Sequence, residues 1–210
     1  MKTGVALAWS GYGMNLLILI FGMPVSLAAN QPCVNTQNRG INITLAQDVA
    51  ETRKARELLM KLVRDTDLRP YLFTRNIRIQ KGARPHSFPI LTLNADYNDN
   101  PPEFISAFLH EEIHRFWYEH QNSLNAEAEF RKLYPRLPRN PADVADDEDA
   151  TYRHLGVCWL ELQADKKYLG PRRAYALLRA SDGYRWIYRT VVNDEAKIGE
   201  IIEKYNLLII

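Results

Sequence analysis

The chain has 210 residues, of which 46% are hydrophobic and 25% charged, with a formal net charge of +2 at pH 7. That length allows one domain and scarcely two, and the balance is that of an ordinary globular protein. The near-neutral charge argues against a nucleic-acid partner or an acidic membrane surface, and no repeat or low-complexity tract is visible.

The first segment departs from the rest. Lys2 is the only charge before Arg39, and the apolar run from Met14 is broken at Pro24 and followed by small residues. Ser26 and Ala28 suit the −3 and −1 positions of a signal-peptidase site, so residues 1–28 read as a secretory signal cleaved after Ala28 or Ala29. An uncleaved N-terminal anchor is the alternative, because the uncharged run is long enough to span a bilayer. No cysteine stands at the cleavage point to carry a lipid. Either way the sequence predicts an exported domain, periplasmic or secreted, over residues 29–210. Membrane contact is expected only through the leader. In such a compartment Cys33 and Cys158 can pair. The alternative is a buried apolar Cys158 and a free Cys33. The Asn-Ile-Thr at Asn42 is too common a triplet to carry weight.

Leu45 to Asp65 carries a helical apolar stripe at Leu45, Val49, Leu58, Leu59, Leu62 and Val63. Tyr71–Gln80 alternates like a strand, a turn follows at Gly82, and Phe88–Tyr97 is a second strand candidate. Asn100 with Pro101 and Pro102 predicts a helix start, and that helix carries "FLHEEIHRFWYEH" from Phe108 to His120. A short helix broken by prolines comes next. A polar, acidic loop near residues 139–149 matches no EF-hand spacing. Helices are then expected at about Ala150–Tyr168, over "RRAYALLRAS" and at the C-terminus, with Tyr184–Val192 ambiguous between strand and helix. The order gives an α+β fold, a small mixed or antiparallel sheet packed against a mostly helical domain.

On a helix, His110 and His114 lie about 40° apart and about 6 Å along the axis, so both imidazoles can hold one metal ion. Glu111 stands beside that ion without binding it, placed to accept a proton from an activated water. This His-Glu-x-x-His pattern predicts a Zn2+ site. His120 is a poor third ligand. A chain that turned back there would need glycine where Trp117 stands, and a continuing helix points His120 away from the other two. No methionine follows Met60, so the methionine turn of the three-histidine metzincins is also missing. A better source is "CWLELQADKKYLG". There Glu161 is expected as the third ligand, with Asp165 one turn on to hold the far nitrogen of a ligand histidine. His154, on the same face seven residues before Glu161, is the main competitor, and direct ligation by Asp165 is a lesser one.

These motifs resemble the gluzincin group of zinc metallopeptidases, which pairs HExxH with a downstream ExxxD on another helix. Here they are His110-Glu111-Glu112-Ile113-His114 and Glu161-Leu162-Gln163-Ala164-Asp165. The 46 residues between His114 and Glu161 are closer to the CAAX-protease type than to thermolysin. The resemblance spans roughly Pro89 to Asp165. It implies a zincin-like fold with HExxH on a central helix, and hydrolysis of peptide or protein substrates with Glu111 as general base. It further implies an edge strand at Asn94 and Ala95 on which substrate backbone pairs, although Asp96 departs from the usual aromatic. A downstream group should stabilise the oxyanion. Tyr184, Tyr188 and Arg185 are candidates, with Tyr152 and His154 behind them. Two rival readings remain: an inactive zinc-bearing binding or regulatory module, and a chance motif.

Overall fold

The computed structural model describes residues 40–210. The leader, its cleavage point and Cys33 lie outside the described residues. Strand β1 (Asn42–Leu45) leads into helix α1 (Ala50–Asp65), and strands β2 (Asn76–Gln80) and β3 (Leu91–Asn94) follow. All three strands run parallel in the order β1-β2-β3, with Ile43 opposite Ile77 and Ile77 opposite Leu91. Helix α1 is the crossover that a parallel β1–β2 pair requires. It buries Ala55, Leu59, Leu62 and Val63.

Two sequence expectations are corrected here. Leu45 ends a strand rather than starting a helix, and Val49, read as part of the apolar stripe, is the 37% exposed residue before α1. The sheet is parallel, not mixed or antiparallel. The turn at Gly82 is real (φ +70°), but the chain after it loops back and enters β3 in the same direction as β2. The antiparallel partner of β3 is a loop residue, His86, whose backbone exchanges hydrogen bonds of 3.1 and 2.8 Å with Thr92.

Helix α2 (Pro101–Glu119) starts on its prolines as expected and lies at the centre of the domain, with buried side chains all round. It packs on β3, on α1 and most extensively on α4 (Glu148–Leu169). Helix α3 (Ser123–Leu133) stops before Pro135. Helices α5 (Pro171–Ala180), α6 (Arg185–Asn193) and α7 (Glu195–Lys204) complete the far side, so the ambiguous segment at 184–192 is helical. Among the described residues no helix is long and apolar enough to cross a membrane.

Glycine sets the closest approach in the core. A Cβ on Gly156 of α4 would sit 2.0 Å from the Trp117 ring of α2, so only glycine allows this contact. The Trp117 indole, 1% exposed, donates from Nε1 to Glu127 at 2.8 Å. The sheet side is tied to α2 by Glu112, whose Oε2 accepts from the backbone of Phe73 (2.8 Å) and Thr74 (3.0 Å).

Candidate metal centre

The local part of the site forms as helix geometry requires. His110 and His114 lie on one face of α2 with their Nε2 atoms 3.1 Å apart. Helix α2 continues through Glu119. His120 caps its end, exposed, with Nδ1 on the Phe116 carbonyl, and takes no part.

The third group on this pair is His154, not Glu161. Ring nitrogens of His110, His114 and His154 all lie within 4.8 Å of one another. The His154 ring is 4.7 Å from His114 and 5.5 Å from His110, centre to centre. Its Nδ1 donates to the Ala150 carbonyl at 2.6 Å, which leaves Nε2 with a free lone pair. Glu161 instead binds the far side of the first histidine, with Oε2 2.8 Å from His110 Nδ1. It therefore holds the position expected of Asp165, fixing the tautomer and orientation of a ring whose Nε2 faces the cleft.

Asp165 stands one step further back. Ser106 Oγ lies 2.9 Å from Glu161 Oε1 and 2.7 Å from Asp165 Oδ2. One hydroxyl has one hydrogen to give, so one of the two carboxyl groups must supply its own. Burial and the Glu161 charge push Asp165 up to about 8, so Asp165 carries that proton. The chain of donors runs from Asp165 through Ser106 to Glu161, which accepts from His110. Tyr188 Oη adds longer contacts to Glu161 at 3.2 and 3.4 Å. Tyr188 thus braces Glu161 from the cleft lining.

The electrostatics divide the histidines. Burial alone would lower His110, but the carboxylate of Glu161 and the Cys158 contact outweigh it and hold His110 well above the usual imidazole value. Burial lowers His114 well below that value, and it lowers His154 to about 3, with the His110 charge pushing both the same way. The 3.1 Å contact between their Nε2 atoms needs one hydrogen between His110 and His114. A cation with open coordination positions can replace that proton, because three neutral imidazoles are a zinc-competent donor set. A second grouping, His110 with Cys158 and Glu161, fits a metal less well. Cys158, which has no disulfide partner among the described residues, is a fully buried thiol outside the cleft lining, and burial raises it to about 11, away from the thiolate.

The three histidines open on a cleft of about 1090 Å³. Glu111 faces it, 6% exposed, with Oε2 accepting from Ser87 Oγ at 2.5 Å. Burial raises the Glu111 carboxyl against the opposing His110 charge and Ser87 bond, in the direction a general base needs. Ser87 is itself held by Arg115, whose Nη2 donates to the carbonyls of Ser87 (2.6 Å) and Pro89 (2.9 Å). Tyr184 stands across the cleft in a left-handed conformation (φ 53°), which is costly for a non-glycine residue. The carbonyls of Ala142 and Asp143 hold it there by accepting from the first two amides of α6, both at 3.1 Å. The Tyr184 ring lies 4.5 Å from His154, and its oxygen takes a long contact of 3.4 Å from Arg84.

Other expected residues fall elsewhere. Asn94 caps the turn after β3, its Oδ1 accepting from Asp96, and Ala95 is fully buried; neither lines the cleft. The wall beside β3 is the loop Arg84–Phe88, because His86 takes the outer edge of β3 at Thr92. Arg185 pairs with Asp143 at 3.0 Å, and Tyr152 donates to the Tyr134 carbonyl at 2.8 Å. Ser87, Ser106 and Arg84 were not singled out in the sequence. None belongs to a spacing motif, and each reaches the site only through tertiary packing.

Compared with known protein families, curated proteins and solved structures, the chain shows no significant match.

Proposed function

We propose that this chain is an exported zinc-dependent hydrolase of peptide bonds, with the metal held by His110, His114 and His154. The observation that carries the reading is the convergence of three histidine nitrogens within 4.8 Å, beside a buried glutamate, in an open cleft. A purely structural site has no use for that glutamate or for that opening. The gluzincin resemblance supports the His110, Glu111 and His114 roles and loses its third ligand to His154. Export rests on the composition of residues 1–28.

Zinc bound there supplies Lewis-acid polarisation of a carbonyl and a more acidic water. The protein's own groups do the rest. Glu111, aimed by Ser87, takes a proton from the attacking water and returns it to the leaving amine. Tyr184, packed at a tilt against His154 and backed by Arg84, offers its hydroxyl to the carbonyl oxygen as charge develops there. Glu161 keeps His110 oriented, and Tyr188, Ser106 and Asp165 keep Glu161 in place. An extended peptide lies along the wall formed by residues 84–88.

Glu111→Gln keeps the shape and removes the base. It should bind zinc with wild-type stoichiometry and lose about 10²–10⁴-fold in turnover. Chelator-sensitive cleavage of casein, with metal content measured on the same samples, checks both halves. A fully active Glu111→Gln protein would sink the mechanism.

A further inference from the structure

Three arginines stand near the centre, and two of them are committed to acceptors of this chain. Arg115 donates to the Ser87 and Pro89 carbonyls and covers the Phe88 ring at 4.4 Å. Arg84 contacts Tyr184 and Asp146, each at 3.4 Å. The third, Arg153, precedes His154 on α4 and lines the cleft. Its side chain is 22% exposed, and its nearest acid is Glu127 at 3.8 Å, beyond hydrogen-bond length. That acid oxygen already accepts from Trp117 at 2.8 Å. Among the described residues the Arg153 guanidinium makes no hydrogen bond. Its Cζ lies instead over the Tyr118 ring, 4.7 Å from the centroid. A guanidinium seated over an aromatic ring, lining a cleft and with no hydrogen bond of its own, has donors to offer a carboxylate bidentately.

The neighbourhood fits that ligand. The acids on the cleft wall nearest the arginines have partners of their own: Asp146 faces Arg84, and Asp147 caps α4 through Ala150. Beside Arg153, Tyr118 and Phe88 meet edge to face at 5.1 Å and are 53% and 46% exposed, an apolar ledge next to the charge. Tyr118 lies 6.4 Å from His114, centre to centre. The guanidinium is therefore within about three extended residues of the histidines, at about 3.4 Å per residue.

We infer that Arg153 receives a substrate carboxylate, so that the cleft selects peptides bearing a carboxylate within about three residues of the scissile bond. The carboxylate comes from an acidic side chain or from a free C-terminus. The inference rests on the hydrolase reading above and specifies its substrate class.

The test uses paired quenched-fluorescent decapeptides. Each pair carries Glu or Gln at one of the three positions on either side of the cleaved bond, with a Lys peptide matched to each, and one further pair ends in a free acid or an amide. Wild type should favour the carboxylate member of at least one pair by about tenfold or more, chiefly in KM. Arg153→Gln should reduce that preference to about twofold or less, Arg153→Lys should keep part of it, and Arg153→Glu should turn it toward Lys at the same position. Which pair responds distinguishes an acidic side chain from a chain terminus. The same preference should appear in peptide Kd values measured by fluorescence anisotropy in the Glu111→Gln background. Zinc content and thermal unfolding of each variant separate loss of recognition from loss of fold, with Arg153→Lys as the conservative control. Zinc-dependent cleavage with no Glu/Gln or acid/amide preference, or a preference that survives Arg153→Gln, overturns the inference and leaves the hydrolase standing. Wild type with neither zinc nor cleavage overturns the hydrolase reading and this inference with it.

Discussion

His154 and Glu161 make opposite demands on one metal ion. A histidine ligand gives a neutral donor and a net charge of +2 at the centre, whereas a glutamate ligand removes one unit of that charge. With the three imidazoles proposed, a bound ion would be the stronger Lewis acid, and the carboxylate would act one bond away by polarising His110. The two roles predict different losses. His154→Ala removes a ligand and should weaken zinc by more than about 100-fold, whereas Glu161→Gln, which loses only an orienting acceptor, should fall in the range of about 10–100-fold. Competition with a chelating dye gives both numbers, and the absorption bands of the cobalt-substituted protein report whether a nitrogen ligand has gone. The reverse ranking would restore Glu161 as the third ligand. At this scale the sequence was half legible. His110, Glu111 and His114 are set by helix periodicity alone. His154 and Glu161 are seven residues apart, so they share a face of α4 and differ by about 10.5 Å along its axis. No local pattern says which of them is level with His110.

That axial level is decided where two helices meet. Trp117 of α2 fits against Gly156 of α4, which pins α4 with His154 beside the histidine pair and Glu161 behind it. The tryptophan that rules out a metzincin-like turn is thus the contact that brings a third histidine from another helix. Gly156→Ala should push the helices apart. An overpacked core site of this kind costs about 1–3 kcal/mol, and here zinc affinity should fall with stability although no ligand has changed. Pairing Gly156→Ala with Trp117→Leu, which vacates the colliding ring, should recover part of the Gly156→Ala loss in a double-mutant cycle. Denaturant midpoints and zinc titrations on the four proteins measure this, and strictly additive losses would mean that the contact does not set the helix level. The sheet was less legible than the helices for a related reason. A turn at Gly82 between two alternating segments reads as an antiparallel hairpin, but the chain loops back so that β3 joins one edge of β2 in parallel, and the other edge takes β1, a four-residue strand too short to stand out. Parallel pairing depends on α1 crossing over, and no window of sequence around the turn contains that helix.

For the whole molecule, the question is whether the proposed zinc would build the fold or only occupy it. The two helices that carry the histidines are held by apolar contacts that do not involve the site: Phe104, Phe108, Leu109 and Ile113 on α2, and Leu155, Val157, Leu162 and Ala164 on α4, are all fully buried. Glu112 fastens the opposite face of α2 to the backbone ahead of β2. The Asp165–Ser106–Glu161–His110 chain is linked by hydrogen bonds between protein groups, with only Asp165 Oδ1 buried and unpartnered among its carboxylate oxygens. A domain built this way should keep its helices without metal, and zinc bound at the proposed site would add RT ln(1 + [Zn]/Kd), about 2.7 kcal/mol at a free concentration 100 times Kd. Dialysis against EDTA should therefore leave the far-UV circular dichroism unchanged, lower the melting temperature by several degrees, and abolish cleavage until zinc is restored. Collapse of the helical signal on chelation would show that the metal is structural. That result would favour the rival reading, in which the centre is the scaffold of a binding module rather than the working part of a hydrolase.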